Sequence, residues 1–283
     1  MNIKLIADST CDLPMELVQQ HGIRIVPLSI ILGDKVLKDG FEVTPKELFE
    51  FVENGDEMSR TSAVNVDEYM QVYAEESPKC DAIIHFIISS EMSSCYQNAC
   101  IAAEDYDNIF IIDTRNLSTG MANLVLDAVE LRAENKPVDE IHSELLRRLE
   151  LLDTSFVIDT LTYLHKGGRC SAVAVLASSL LKIRPSIIVK DGKMTVGQKY
   201  RGKPENVLRN YVQDKLSDSE NIDTRRIFVV HTMTEQNRHL VEMVKSLAAE
   251  TLLFDEIIEA DAGCSIANHC GPNTLGIMFY RKV

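Results

Sequence analysis

Three polar clusters carry residue types that could hold or attack an anion: Arg60-Thr61-Ser62, Ser89-Ser90-Glu91-Met92-Ser93-Ser94-Cys95-Tyr96, and His269-Cys270-Gly271-Pro272. A serine-rich loop that opens a helix offers hydroxyls and free backbone N–H groups to a carboxylate or phosphate. The same spacing also suits a plain helix cap at Ser93 or Ser94, and Thr61 and Ser62 are equally at home as ordinary loop residues. A lone histidine such as His269 is often structural, yet the Gly271-Pro272 turn behind it would hold an imidazole in one place. Lys166-Gly167-Gly168-Arg169 is a fourth candidate, because two glycines permit a tight turn and direct the arginine outward. Arg201-Gly202-Lys203 repeats that basic-plus-glycine pattern. For both, the alternative is a solvated loop charge.

The residue types also allow an enzyme, with Ser93 as nucleophile, His269 as base and Asp8 or Asp113 orienting the histidine. That reading predicts a serine-dependent lipid or ester hydrolase. No G-x-S-x-G nucleophile elbow supports it, and neither G-x-x-x-x-G-K-[ST] nor G-x-G-x-x-G is present for a nucleotide. No C-x-x-C pair or compact Cys/His cluster offers a metal site, and seven cysteines read as free thiols. A small-metabolite-binding module is the remaining alternative.

The elements that must position these groups follow from apolar patterning. Ile3–Ala7, Ala82–Ile88 and Ile109–Ile112 read as strands, and Ile23–Leu32 as one apolar run closed by a Gly33-Asp34 turn. Thr44-Pro45-Lys46-Glu47 is a capping box with proline at the first helical position, and Asn65 to Glu68 offers a similar cap. Helices are expected to begin at Ser93 or Ser94 and to span about 117–134 and 138–152. This alternation predicts a parallel sheet flanked by helices, with ligands gathering beyond the carboxyl ends of the strands. The second half reads as a mixed α/β domain. It has a short strand at Phe156–Ile158, a helix over Ser171–Leu181, a hairpin around Asp191-Gly192, a strand at Ile227–Val230, a helix from Thr234 to about Ala249 and a last strand at Leu275–Tyr280. The expected domains are 1–152 and 153–283. No Pro/Ser-rich linker separates them, so they should pack closely with the ligand site at their interface.

The chain has 283 residues, 45% of them apolar and 25% charged, as an ordinary globular protein does. No run approaches the roughly 20 apolar residues of a membrane span. The N-terminal stretch reaches Asp8 too early for a signal peptide, so a cytoplasmic location is expected. A net charge of −14 disfavours nucleic acid.

Taken together, the segments resemble the DegV family. Ile6-Ala7-Asp8-Ser9-Thr10-Cys11-Asp12-Leu13-Pro14 is similar to its N-terminal signature, and Thr61-Ser62 to its threonine-serine loop. Ser89 to Tyr96 matches its serine loop, Leu164 to Arg169 its double-glycine arginine turn, and His269-Cys270-Gly271-Pro272 with Gly276-Ile277 its closing pattern. The matches run in family order from residue 6 to 277. The resemblance implies a lipid-binding protein that holds a long-chain fatty acid and presents its carboxylate to a separate fatty-acid kinase, with no cofactor of its own. Contact with membranes would be peripheral or transient. Carried over, Thr61 and Ser93 would hydrogen-bond the carboxylate, with Ser62 beside them, and His269 would set its orientation. Arg169 would lie near the rim, and Arg201, Lys203 and Lys166 would face the partner. Each buried methylene contributes about 0.8 kcal/mol, so the tail would supply affinity and the polar cluster orientation. Ser94-Cys95 departs from the usual Gly-Thr, which would narrow or repolarise the carboxylate site and, if Cys95 meets Cys270 there, make it redox-sensitive.

Overall fold

Continuous runs of Ile, Leu and Val in the first half form strands buried on both faces, as parallel sheets require. The computed structural model describes residues 1–55, 57–170 and 183–282. The chain opens with β1 (Ile3–Asp8), α1 (Met15–His21) and β2 (Arg24–Val26), then β3 (Ser29–Leu32), β4 (Lys35–Lys38), α2 (Pro45–Asn54) and β5 (Arg60–Ser62). Next come α3 (Val66–Glu76), β6 (Ala82–Ile87), α4 (Cys95–Ala102), β7 (Ile109–Asp113), α5 (Ser118–Ala133) and α6 (Val138–Arg148). A parallel sheet of order β2-β1-β6-β7 forms, with Ile83, Ile84, Phe86 and Ile87 fully buried. Both expected capping boxes are present: Thr44 Oγ1 accepts from Glu47 N–H and Asn65 Oδ1 from Glu68 N–H, with the glutamates bonding back.

One expectation needs correction. The apolar run Ile23–Leu32 is two strands in different sheets, broken at Pro27, which has no N–H to continue a ladder. After the break, β3 joins a small antiparallel sheet of order β4-β3-β5. Thr61 and Ser62 therefore sit on a short strand rather than in a loop, with Ser29 opposite Ser62 and Ile30 opposite Thr61.

The second half contains β8 (Leu152–Val157), α7 (Thr162–Gly167), β9 (Ile183–Lys190), β10 (Lys193–Arg201), α8 (Pro204–Leu216), β11 (Ile222–His231), α9 (His239–Thr251), β12 (Glu256–Asp261), α10 (Cys264–Cys270) and β13 (Leu275–Arg281). The helix expected over Ser171–Leu181 lies outside the described residues. Strands β8–β13 build a mixed sheet of order β10-β9-β8-β13-β11-β12, in which only β11 and β12 run parallel. The period-2 alternation of its central strands sorts side chains between two cores. Ile227, Val229, Leu275, Ile277 and Phe279 meet α8 and α9, whereas Phe228, Val230 and Met278 join the core shared with the first sheet.

Helix α5 lies in that shared core, against β1 and β6 on one side and β8, β11 and β13 on the other. Every residue from Ser118 to Ala128 is buried, as expected of a helix covered all round. Its Asp127, fully buried, meets Arg148 Nη1 at 2.9 Å on α6 and Arg226 Nη1 at 3.4 Å on β11. One carboxylate thus ties the two halves together from inside.

Candidate functional site

The tip of the β9–β10 hairpin shapes the serine loop. Gly192 has φ +78°, and a Cβ there would lie 2.7 Å from Ser89 Oγ, so only glycine fits this turn. Ser89 Oγ donates to Gly192 O at 2.7 Å, while Met92 and Ser93 N–H fold back to Ser89 O. Lys193 and Glu91 pair at 3.2 Å across the same junction. A segment of the second half therefore holds the loop that the first half extends from β6.

Beside this loop is a cavity of about 240 Å³. Thr61, Ser62, Ser93, Ser94, His269 and Arg169 line it, with Leu28, Ile88, Met92, Leu117, Met194 and Ile266 as the apolar wall. Five of the expected ligand-binding residues (Thr61, Ser62, Ser93, His269 and Arg169) thus meet at one place from four separate segments. Lys166, Arg201 and Lys203 are exposed and lie outside this lining. Arg201 is seven residues along β10 from Met194, about 20 Å at the rise of a strand.

His269 occupies the last turn of α10. The helix, rather than the Gly-Pro turn alone, orients it. Two buried carboxyl groups hold the start of α10: Asp12 Oδ1 accepts from Gly263 N–H at 2.8 Å, and Asp39 accepts from Cys264 and Ser265 N–H at 2.8 and 3.1 Å. Burial raises the Asp12 carboxyl to about 8. At the other end, His269 Nε2 lies 3.0 Å from Thr61 Oγ1. Its Nδ1 is buried without a hydrogen-bond partner among the described residues and faces Gly167, where a Cβ would approach to 2.3 Å. Burial, with a smaller push from the Arg169 guanidinium, lowers the imidazole to about 4, so it is neutral at physiological pH.

That shift has a measurable sign. Below pH 6.5 the unfolded chain binds a proton that folded His269 refuses, so the folded state loses up to about 3 kcal/mol between pH 6.5 and 4. His269→Gln removes this titration. Urea unfolding across that range should show a shallower acid-side loss for the variant than for the unsubstituted protein, and parallel profiles would contradict the assignment.

Ser94 stands at the N-cap of α4 but makes no side-chain cap bond. Ser93 instead accepts from Cys95 N–H and donates to Cys95 Sγ, each at 3.2 Å. Cys95 is buried beneath Ser93 and outside the cavity lining, while Cys270 lines the cavity. Burial raises both thiols to about 12, far from the thiolate form that oxidants attack.

The described residues do not assemble a Ser–His–acid triad. His269 Nε2 pairs with Thr61, Asp8 accepts from Tyr69 Oη at 2.8 Å, and Asp113 accepts from Ser90 and Arg115. Two further cavity residues escaped the sequence reading as site residues. Ser265 sits one turn before His269 on α10, and Thr10 follows β1 within the N-terminal signature. The i, i+4 spacing of Ser265 and His269 was the available signal, but Cys264–Cys270 has no helical apolar period to announce a helix.

Comparison with known proteins agrees with this architecture. The family model described as "Uncharacterised protein, DegV family" matches residues 2–282. A DegV domain-containing protein of Caldanaerobacter subterraneus subsp. tengcongensis is 30% identical over 99% of both chains. The structure of a DegV family protein from Thermus thermophilus, described as fatty-acid-binding, superposes with a TM-score of 0.90 at 28% identity, covering 99% of this chain and 100% of that one. A stearic acid-binding protein from Eubacterium ventriosum superposes with a TM-score of 0.85 at 26% identity, covering 99% and 98%. With the parallel sheet, the mixed sheet and the motifs all in family order, the chain belongs to the DegV family.

Proposed function

We propose that this protein binds one long-chain fatty acid, with the carboxylate at Thr61, Ser93 and His269 and the acyl chain along the apolar wall, and presents the carboxylate to a partner fatty-acid kinase. The observation that carries this reading is the convergence of Thr61, Ser93 and a neutral His269 on one apolar cavity. A carboxylate in such surroundings needs several donors at once. With the imidazole proton on Nε2, only a lone pair is left at the unpartnered Nδ1, and the Nε2–H donates to Thr61 Oγ1. The Thr61 hydroxyl hydrogen is then free for the ligand. Ser93 can turn its hydrogen from Cys95 Sγ, a weak acceptor, to a carboxylate, a strong one.

Fatty-acid binding by the Thermus thermophilus relative and stearic acid binding by the Eubacterium ventriosum relative support the ligand class. In this reading the site lies between lobes 1–152 and 153–283. Arg169 is close enough to neutralise the carboxylate or a phosphoryl group placed on it, while Lys166, Arg201 and Lys203 belong to the surface that meets the kinase. No helix among the described residues is long and apolar enough to cross a membrane; the reading includes a peripheral or transient contact with membranes.

Native mass spectrometry followed by lipid extraction tests the binding step. The protein should carry one fatty acid, and Thr61→Ala combined with Ser93→Ala should weaken binding by at least about 100-fold, the loss of two hydrogen bonds to a charged group at about 1.5–3 kcal/mol each. A chain that stays free of lipid after incubation with C16 and C18 acids would refute the ligand. Normal acyl-phosphate formation by a fatty-acid kinase with the double variant would refute the presenting role of these two residues.

A further inference from the structure

Strand β5 carries Thr61 but has no apolar face to fix its place. Arg60, Thr61 and Ser62 are all polar, and three residue pairs join the strand to β3 at the edge of a small sheet. Where neither face of a strand is apolar, register is weakly specified, and a slip of one residue turns every side chain to the opposite face. Such a slip would point Thr61 away from His269. Two side-chain bonds outside the ladder pin the segment at both ends. Ser59, immediately before β5, donates through Oγ to Asn268 Oδ1, and both residues are buried. Asn268 directly precedes His269 in the last turn of α10, so Ser59–Asn268 and Thr61–His269 are neighbouring links between the same two elements. Beyond the strand, Asn98 Nδ2 donates at 2.7 Å to the carbonyl of Val64, which is also buried. Asn98 belongs to α4, the helix that opens directly after Ser93 and Ser94.

We infer that Ser59, Asn268 and Asn98 are positioning residues for the carboxylate site. None of the three lines the cavity. They act through Thr61: Ser59 with Asn268 sets its hydroxyl against His269, and Asn98 sets it against Ser93. The inference rests on the fatty-acid reading of the cavity and names the groups that hold its donors in register. A carboxylate that must meet Thr61 and Ser93 together is sensitive to their spacing, because hydrogen bonds weaken steeply away from linear geometry. Cutting either link leaves a buried acceptor without its donor, Asn268 Oδ1 in one case and the Val64 carbonyl in the other. An unpaired buried acceptor is costly, and a short polar edge strand can shift to let water reach it. The donors of the site then lose their common alignment although each side chain is still present.

The test is a double-mutant cycle, read by calorimetric titration of the delipidated full chain with hexadecanoate. Ser59→Ala and Asn98→Ala should each weaken binding about ten-fold when Thr61 is present. In a Thr61→Ala background each should cost less than about two-fold, because the hydroxyl they place is already gone. Losses of equal size in both backgrounds would overturn the inference, since a general loosening of the fold does not depend on the Thr61 hydroxyl. Unchanged affinity in either variant would strike that residue from the role. If Ser59→Ala does not fold, Asn98→Ala decides, because alanine favours the helix that Asn98 occupies. Failure of the unsubstituted chain to bind hexadecanoate would remove the fatty-acid reading itself. Normal binding with additive losses removes the positioning role alone, and the two failures are thereby distinguished.

Discussion

Gly167→Ala is expected to weaken fatty-acid binding about 100-fold while the protein stays folded. An added Cβ would lie 2.3 Å from His269 Nδ1, 3.2 Å from Cε1 and 3.3 Å from Cγ, so the imidazole has to move. It cannot move freely, because its other nitrogen is placed 3.0 Å from Thr61 Oγ1. The shift therefore breaks the His269–Thr61 pair and misaligns the donors that a carboxylate requires. Each hydrogen bond to a charged group is worth about 1.5–3 kcal/mol, and losing one or two amounts to about 3 kcal/mol, or two orders of magnitude. The backbone itself tolerates alanine: Gly167 ends α7 without a left-handed conformation, and alanine favours a helix more than glycine does. Calorimetry with hexadecanoate would measure the loss, and circular dichroism the fold. Unchanged affinity would mean that His269 does not position the ligand.

Asp127→Ala should have the largest effect on stability. It would leave Arg148 and Arg226 with their central partner gone, in a site where Asp127 is wholly buried and Arg226 is only 5% exposed. Removing one partner of a buried ion pair costs about 3–5 kcal/mol, because the remaining charge stays desolvated. For a chain of this size that lowers Tm by roughly 10 °C. Glu130 also pairs with Arg226, and Glu144 lies 2.8 Å from Arg148, which keeps the loss within that range rather than above it. Since Asp127 joins α5 to both α6 and β11, the damage falls on the packing of the two halves whose junction contains the cavity. Urea and thermal unfolding would check it. A loss under about 1 kcal/mol would show that the arginines find water or other carboxylates at little cost.

Much of the local structure was legible in the chain. Thr44 with Glu47 and Asn65 with Glu68 carry their capping chemistry within four residues, and both form reciprocal bonds. The Asp191-Gly192 turn likewise announces its hairpin, although β9 and β10 extend further than their apolar cores indicated. Several elements were not read: α1, β4, α7, β12 and α10 have too few apolar residues, or too short a span, for a period to emerge, whereas α8 was overlooked although Val207, Leu208, Tyr211, Val212 and Leu216 recur at helical spacing. The run Ile23–Leu32 misled for a different reason. Apolarity shows that a strand is buried but does not name its partner, and here the partner changes at Pro27.

The sequence by itself determined the α/β class, the parallel first sheet, the family and five of the residues around the cavity. Each of these depends on local pattern or on motifs whose order is written along the chain. Only the tertiary structure decided what those residues do to one another. Thr61 and His269 are 208 positions apart, and their 3.0 Å contact arises because Asp12 and Asp39 anchor α10 while β3 holds β5. The neutral state of His269 comes from burial, and the need for glycine at 167 from the closeness of an imidazole. Burial, close approach and desolvation are properties of packed surfaces, and no stretch of sequence contains the neighbours that create them.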